Sequence, residues 1–479
     1  MSIGPFGSER FRRASFVIAA SVLFCVAVPI ASKVFPSNAR TFYCAGRAVA
    51  DHRDPYLVEP LRSCEHAINR YPGFNANEVE PAPLPPYVLS ALAVWSRFPY
   101  SWAHVIWNTL LLGSVVVAAL AIARLTTYPA VYVFLALGFV DGLLNLGFGE
   151  VVPTCVALLC VSAVSAERRK HWTTVAAATA AMIEPHVALP ASVALFIFVP
   201  ATRARFLFCA ILLSLAGIAT LGLGENIEYF RSVLPAHALA EVSAPDQYSL
   251  TWLLHRLGVD SRSALRLGSF SYLVMGFVGV VLARKLAVLY ASNAFLVLVP
   301  PAAVLLGGTF MHDVQIAAAL PAALLLGAHA RSMRRFIWIV AMLFAFPLSV
   351  GAVHLSGILF GSAAAAGIAL LATRRSSVVT RVALCLIVIG SVVSFCAFAS
   401  FARGHDHAVA LHLPAGDRNE LASVQWGRYI GALDSRWSLM DTLKVPLWLA
   451  LIGFLAAGSA QIRPLSSGSG SLMSSGDSV

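Results

Sequence analysis

The stretch 103–123 decides the fold class, and it reads AHVIWNTLLLGSVVVAALAIA. These 21 residues include no Asp, Glu, Lys or Arg. A helix that crosses a bilayer needs about 20 predominantly apolar residues, because the hydrocarbon is about 30 Å thick and each residue rises about 1.5 Å. The stretch therefore predicts a membrane-spanning α-helix.

Similar apolar runs recur from one end of the chain to the other, which predicts an all-α polytopic membrane protein. The predicted spans are 14–32, 103–123, 129–146, 151–166, 173–183, 187–200, 206–223, 267–283, 286–308, 314–330, 336–353, 355–373, 382–401 and 445–460. The pair 173–183 and 187–200 is too short for two full crossings and could form a re-entrant hairpin, so we expect about 12–14 membrane helices. The first run follows Arg10, Arg12 and Arg13 and is interpreted as an uncleaved membrane anchor.

The composition supports this class and excludes others. Hydrophobic residues make up 58% of the 479 and charged residues 12%, about half the charged share of a soluble domain. The net charge of +11 comes from basic residues dispersed between apolar runs, so no nucleic-acid partner is expected. No zinc-type spacing, phosphate loop or dinucleotide fingerprint is present.

The distribution of basic residues predicts the topology. With the N-terminus placed in the cytoplasm, the cytoplasmic connections hold 18 of the 34 Lys and Arg residues, as the positive-inside rule requires. This arrangement leaves three long outer segments, 33–102, 224–266 and 403–444. We predict a single membrane-embedded domain over 1–463, a disordered cytoplasmic tail over 464–479, and both termini in the cytoplasm.

The first outer segment is dense in acids and arginines, and it begins with residues 38–51, NARTFYCAGRAVAD. Phe42, Ala45 and Val49 have helical spacing with Arg47 and Asp51 between them, which predicts an amphipathic helix lying in the membrane interface. A solvated loop between two spans is the alternative. The later run of prolines at 81, 83, 85 and 86 would give a rigid rim to a cavity.

The motifs of the chain stand in a definite order. Phe42-Tyr43, Ala45-Gly46-Arg47-Ala48, Asp54-Pro55-Tyr56 and Leu84-Pro85-Pro86 come first; Gly149-Glu150, Glu184-Pro185, Gln247-Tyr248-Ser249-Leu250 with Arg256, and His312-Asp313 follow. Over most of the chain this order resembles glycosyltransferase family 87, polyprenyl-phosphate-sugar-dependent enzymes of the C-type membrane superfamily. The resemblance implies an α-mannosyltransferase-like fold. It also implies transfer of a mannose-like hexose or a pentose to a lipid or glycan acceptor on the outer face of a bacterial plasma membrane.

Three positions differ from the family pattern, and two of these departures, at Asn38 and Glu184, matter most. The family's early aspartate, its expected base, falls on Asn38, and the lysine of its Lys-Pro turn falls on Glu184; Glu150 stands where the family has glutamine. An amide cannot accept the proton of an acceptor hydroxyl, so another carboxylate must do so. Asp54 is the first candidate for the base, followed by Asp51 and Glu59, although an Asp-Pro pair also commonly starts a turn.

The remaining site candidates would bind the donor. Arg47 and Arg256 are predicted to bind its phosphate, since a guanidinium recognises phosphate through two parallel hydrogen bonds, although interfacial snorkelling explains them equally. The other substrate-binding candidates are Tyr56, Glu150, Glu184, His186, Gln247, Ser249, His312 and Asp313. We predict that Asp54, Glu150, Arg256, His312 and Asp313 surround one cavity. The same topology places Asp141 and His354 at outer helix ends, on the same side as this cavity.

The sequence gives weaker indications about covalent and metal chemistry. Cys44 and Cys64 share a segment predicted to face an oxidising compartment, so a disulfide is expected, unless the two are unrelated thiols. His312 and Asp313 could contribute to a divalent-cation site, but two ligands are too few to predict one.

Two other functions stay open at this level. A multi-spanning transporter is compatible with the number of helices, although no internal repeat is visible and the polar residues sit at predicted helix ends. A non-catalytic member that binds a lipid-linked sugar is compatible with Asn38.

Overall fold

A computed structural model describes residues 37–68, 77–138, 145–330, 332–345, 416–433, 441 and 444–462. These residues are almost entirely helical, and within them the only extended pairing is two isolated bridges, Leu57 with Leu421 and Gln247 with His312. In chain order the helices are α1 Ser37–Ala50, α2 Val58–Ile68, α3 Pro86–Trp95, α4 Tyr100–Thr126, α5 Ala130–Leu137, α6 Asn145–Phe148, α7 Val152–Glu167, α8 His171–Ala180, α9 Pro185–Phe198, α10 Arg203–Glu228, α11 Leu234–Ala240, α12 Leu250–Arg256, α13 Ser261–Tyr290, α14 Ala294–Val304, α15 Ala319–His329, α16 Arg334–Ala345, α17 Ala422–Leu433 and α18 Val445–Ile462.

Four stretches of helix within the described ranges are long and apolar enough to cross a membrane. They are Tyr100–Thr126, Pro200–Ser243, Ser261–Tyr290 and Val445–Ile462, and the second contains α10, which is kinked at Gly222 (φ 81°), and α11. Large apolar side chains project outward from them, among them Leu207, Ile211, Phe270 and Phe277. A row of exposed aliphatic and aromatic side chains on a long helix is compatible with lipid as its surroundings.

Several shorter apolar helices accompany these long ones. They are Val152–Glu167, Pro185–Phe198, Ala294–Val304 and Asp313–His329, whose first turns are 3₁₀ up to Ala318. Every residue of α14 is buried, so neither lipid nor water contacts it. A helix covered on all sides can be apolar all round, and its hydrophobicity reflects protein packing rather than direct contact with the bilayer.

The predicted span at 286–308 is wrong in its boundaries. Helix α13 continues to Tyr290, and the chain turns at Ala291, which has a left-handed φ of 51°. A new helix begins at Ala294, whose backbone N–H donates to the Glu167 carboxylate at 2.7 Å. The predicted spans 14–32, 355–373 and 382–401 and the tail 464–479 lie outside the described residues, as does the end of 336–353.

The helix predicted in the first outer segment is present as α1, but it is covered by other parts of the chain on almost all sides. From Ala39 to Val49 every residue of α1 except Arg47 is buried. Its polar groups turn inward: Arg40 lies 3.3 Å from the Glu80 carboxylate, and Thr41 donates to the same carboxylate at 3.1 Å. Tertiary packing thus uses a helical pattern that the sequence alone assigns to a membrane surface.

Covalent and close backbone contacts hold α1 in place. Cys44 and Cys64 form a disulfide with Cα atoms 5.7 Å apart, so the expected pairing is present. Gly46 packs on α3, where a Cβ in its place would lie 2.4 Å from the carbonyl oxygen of Leu92. Only glycine allows this approach of α1 to α3 without displacing the backbone.

Parts of the three segments predicted to be outer loops pack together. The chain ahead of α2 pairs with the chain ahead of α17, because Val58 N–H donates to Glu420 O and Ala422 N–H donates to Tyr56 O, both at 2.8 Å. Helix α17 lies on α11, where Gly427 faces Ala240 closely enough that an added Cβ would be 3.1 Å away. Segments separated by more than a hundred residues therefore build one unit.

Candidate functional site

This unit encloses a cavity of about 800 Å³ next to the ends of the apolar helices. Its polar lining is mostly acidic and imidazole: Glu80, Glu150, Glu184, Glu241, Asp246, Asp313, His186, His237 and His312. Among the described lining residues there is no lysine or arginine. An anionic ligand would therefore need a positive charge that does not come from a lysine or arginine of this lining.

The first corner of the cavity joins α1 to the turn before α7. Gly149 has φ +75°, and its missing side chain lets Ala39 of α1 lie against it, since a Cβ there would be 2.6 Å from the Ala39 Cβ. Trp107 Nε1 holds the same turn by donating to Gly149 O at 2.8 Å. This packing places Asn38 beside Glu150, and the Asn38 amide donates to Glu150 Oε1.

Glu150 is held in a state suited to proton exchange. Burial raises the pKa of Glu150, and after the opposing effects of His312 and the Asn38 hydrogen bond it stands at about 7. Burial and the neighbouring charge of Glu150 raise the pKa of Glu184 further, to about 8. Both carboxyls can therefore exchange a proton near neutral pH.

Glu184 occupies a second corner, at the start of α9. Its carboxylate lies 3.4 Å from His186 Nε2. The adjoining backbone is fixed by two tyrosines, because Tyr272 OH donates to His186 O at 2.9 Å and Tyr87 OH donates to Met182 O at 2.8 Å. Proline at position 185 suits the first turn of the helix and leaves the Glu184 side chain at its entrance.

A third corner forms where the chain before α12 runs alongside the chain before α15. Tyr248 N–H donates to Met311 O at 2.5 Å, and Asp313 N–H donates to Asp246 O at 3.1 Å. Lys444 fixes this pairing from behind, since its Nζ donates to Pro245 O and Gln247 O and lies 3.4 Å from the centroid of the Trp252 ring. The pairing brings His312 to the cavity.

His312 Nε2 lies between two polar partners. Gln247 Nε2 is 3.0 Å away and Glu241 Oε2 is 3.1 Å away. Gln247 is oriented by its own Oε1, which accepts from Met311 N–H at 2.8 Å, and Glu241 by its Oε1, which accepts from Trp426 Nε1 at 2.6 Å. Burial opposes a charge on His312, but Asp246, Glu241 and Glu150 outweigh it and raise the pKa of His312 to about 10. This corner attracts positive charge.

Six of the predicted site residues line this cavity: Asn38, Glu150, Glu184, His186, His312 and Asp313. Two more support it from outside the lining. Gln247 orients His312, and Ser249 caps α12 by accepting from Trp252 N–H at 3.1 Å. Asp141 and His354 lie outside the described residues.

The structure does not place the predicted carboxylate bases in the cavity. Asp54 lies outside the lining and accepts from Tyr56 N–H at 2.8 Å, as expected for an Asp-Pro turn. Burial raises the pKa of Asp54, and the nearby Glu228 charge adds to the effect. Asp51 pairs with Arg47 at 3.1 Å with both side chains half-exposed.

The remaining predictions for the first segment and for phosphate binding also need correction. Glu59 pairs with Arg62 at 3.1 Å and accepts from Ser63, away from the cavity. Tyr56 is buried, with its OH donating to Leu84 O at 2.9 Å. Arg256 lies over the Trp252 ring, 5.4 Å from its centroid, and does not line the cavity. The prediction that Asp54 and Arg256 surround the same cavity as Glu150 is therefore wrong.

Several lining residues went unnoticed in the sequence. Glu241 and Asp246 belong to the predicted outer segment 224–266, Trp426 and Tyr429 to 403–444, and Glu80 precedes the run of prolines. Their common signal is position, since all lie in long polar segments beside apolar runs. No motif distinguishes them.

Comparison with protein-family models, with curated proteins and with solved structures finds no match for this chain.

Proposed function

We propose that the chain is a polytopic membrane glycosyltransferase that takes a sugar from a polyprenyl-phosphate donor and uses Glu150 as its base. The hydrogen bond from the Asn38 amide to Glu150 carries the proposal. In the family that the chain resembles, the corresponding positions hold aspartate and glutamine. Here the carboxyl and the amide have exchanged positions and remain in contact, so the site keeps one carboxylate and one amide that orients it.

The chemistry requires two groups on opposite sides of the reacting carbon. The hydroxyl of the acceptor attacks the anomeric carbon of the sugar, the bond from that carbon to the phosphate oxygen breaks, and the phosphate leaves with the bonding electrons. Glu150 accepts the hydroxyl proton, since its pKa of about 7 matches the working pH. The departing phosphate would lie near His312, whose pKa of about 10 gives it a positive charge near neutral pH.

The two ends of the helices carry different charged residues, and this difference supports the predicted orientation. Cavity residues precede or begin several helices: Glu150 stands before α7, His186 begins α9, and Leu265 lies in the first turns of α13. The opposite ends of α4, α7, α13 and α15 meet at a separate pocket of about 350 Å³ lined by Arg124, Glu167, Arg168, Tyr290 and His329. Arginines at that end and carboxylates at the other fit an outward-facing cavity.

A lipid-linked donor also needs access from the bilayer. Leu265 and Ser269 of α13 line the cavity, and Phe270 and Leu273, which follow them directly, are exposed large apolar side chains. The polar cavity and an apolar outer surface are thus adjacent on one helix. A donor could keep its polyprenyl tail against this surface while its phosphate enters the cavity.

The proposal is tested with purified full-length protein in nanodiscs, supplied with radiolabelled polyprenyl-phosphate mannose or arabinose and a lipid extract as acceptor. Transfer of label to a new product supports it. Saturable donor binding without any product would support the non-catalytic alternative. Movement of label across a proteoliposome membrane without a chemical change would support a transporter.

The pH dependence of transfer provides a prediction specific to Glu150. A base must be ionised to act, so the rate should fall as pH drops through about 7 and level off above it. Asn38→Ala removes an N–H that favours the ionised form, so the midpoint should move to higher pH. Initial rates between about pH 5 and 9 measure both midpoints; identical midpoints would argue against the contact.

A further inference from the structure

The His312 corner has an excess of electron-pair donors. Glu241, Asp246 and His312 each offer one ligand atom, and these atoms all lie within 4.8 Å of one another. Glu241 Oε2 and His312 Nε2 are 3.1 Å apart. Two ligands of a tetrahedral metal ion with bonds of about 2.0–2.1 Å lie about 3.3 Å apart, so this pair already has nearly the separation required.

The hydrogen bonds around these side chains resemble those that orient metal ligands. Trp426 Nε1 holds Glu241 Oε1, so Oε2 is the oxygen turned to His312. The backbone of Asp246 and Asp313 is paired, which fixes the spacing of Asp246 and His312. Such outer hydrogen bonds set the direction of a ligand's lone pair before the ion arrives.

A second observation comes from His237. It lines the same cavity with only 6% of its surface exposed, and its Nδ1 is buried without a hydrogen-bond partner in the described structure. A buried imidazole nitrogen without a partner is costly. His237 interacts electrostatically with Glu241 and His312, so it lies in the same part of the cavity.

We propose that Glu241, Asp246 and His312 bind one divalent transition-metal ion, such as Mn²⁺ or Zn²⁺, in the part of the cavity that His237 also lines. Two carboxylates with imidazole suit these ions better than Mg²⁺ or Ca²⁺, which prefer oxygen ligands alone. The ion would displace the proton that His312 Nε2 now directs at the Glu241 carboxylate, and that proton would leave to solvent.

A metal ion at this corner has a consequence for substrate binding, which rests on the proposed function. The described lining holds six carboxylates and no lysine or arginine, so a phosphate entering the cavity meets mainly negative charge. A divalent cation would reverse the sign of the local potential and neutralise the departing phosphate.

Metal binding is measured without any donor, so its failure is distinct from failure of glycosyl transfer. The full-length protein in nanodiscs is stripped with a chelator and titrated with Mn²⁺, and free Mn²⁺ is read by electron paramagnetic resonance. We expect one saturable site, with displacement by Zn²⁺. His312→Gln and Asp246→Asn should each weaken it at least about tenfold. Asp246 is exposed, so the Asp246→Asn variant should retain its fold.

Glu184→Gln is the matched control, because it removes one carboxylate from the same cavity without touching the three ligands. Its Mn²⁺ affinity should stay within about threefold of the wild type, since only a more distant charge is lost. The proposal is overturned if no saturable binding occurs up to millimolar Mn²⁺, or if Glu184→Gln weakens binding as much as Asp246→Asn does. A protein that binds the ion but never transfers sugar would overturn only the proposed function, and full transfer in excess chelator would overturn only the metal's part in it.

Discussion

Replacing Glu150 with glutamine should lower the rate of sugar transfer by about 100-fold or more, the usual contribution of a positioned general base. Glutamine keeps the size of the side chain but cannot accept the proton of the acceptor hydroxyl. The packing of Gly149 on Ala39 and the hydrogen bond from Trp107 to Gly149 do not involve the Glu150 carboxyl group, so the fold should survive. Initial rates in nanodiscs, with thermal melting as a check of folding, measure the effect.

Two variants make this result specific. Asp54→Asn removes the carboxylate that the sequence favours as base, and because Asp54 lies outside the cavity its rate should stay within a few-fold of the wild type. The double variant Asn38→Asp with Glu150→Gln restores one carboxylate and one amide in contact, so it should recover part of the lost activity. If the Asp54→Asn protein loses transfer while the Glu150→Gln protein stays active, the base lies in the first outer segment and not at Glu150.

Gly149→Ala should lower both the melting temperature and the rate of transfer. Gly149 has a φ of +75°, a backbone conformation that residues with a side chain rarely adopt. The new Cβ would also lie 2.6 Å from the Ala39 Cβ and 3.0 Å from the Ala39 nitrogen. Strain of this kind costs on the order of 1–3 kcal/mol. Relief of the clash would push α1 away and separate Asn38 from Glu150.

Gly113→Ala is the control for this substitution. Gly113 lies inside α4, and a Cβ there meets nothing within 4 Å. Alanine in a helix interior is favoured over glycine by roughly 0.5–1 kcal/mol, so the melting temperature should hold or rise. Equal melting temperatures for the Gly149→Ala and Gly113→Ala proteins would show that the contact of α1 with the Glu150 turn is not tight.

Hydropathy was a good guide to the long helices, because membrane-crossing length and lack of charge are properties of a local stretch. The run 103–123 lies within α4, and 445–460 lies within α18. It failed at 286–308, where the chain turns at Ala291 and only two polar residues, Ser292 and Asn293, interrupt the apolar run. It also could not separate helices with exposed apolar side chains from α14, every residue of which is buried.

The sequence could not show which group each candidate side chain contacts, because those contacts form only in the tertiary structure. Asp54 and Glu150 are both acids beside apolar runs, but Asp54 turns to the backbone of Tyr56 whereas Glu150 turns to Asn38 of α1. Arg256 lies on the ring of Trp252, one helical turn earlier, which a phosphate-binding motif does not reveal. Glu241 and His312 meet across 71 residues of chain, beyond the reach of any spacing rule.

The location of the donor tests the central claim most directly. A structure of the protein in nanodiscs with a non-hydrolysable polyprenyl-phosphonate sugar analogue would show it. We predict the phosphonate at the His312 corner and the sugar directed towards Glu150, with room for an acceptor hydroxyl about 3 Å from the Glu150 carboxylate. The account would be contradicted if the analogue bound outside the cavity, either beside Arg47 and Asp54 or against Arg256.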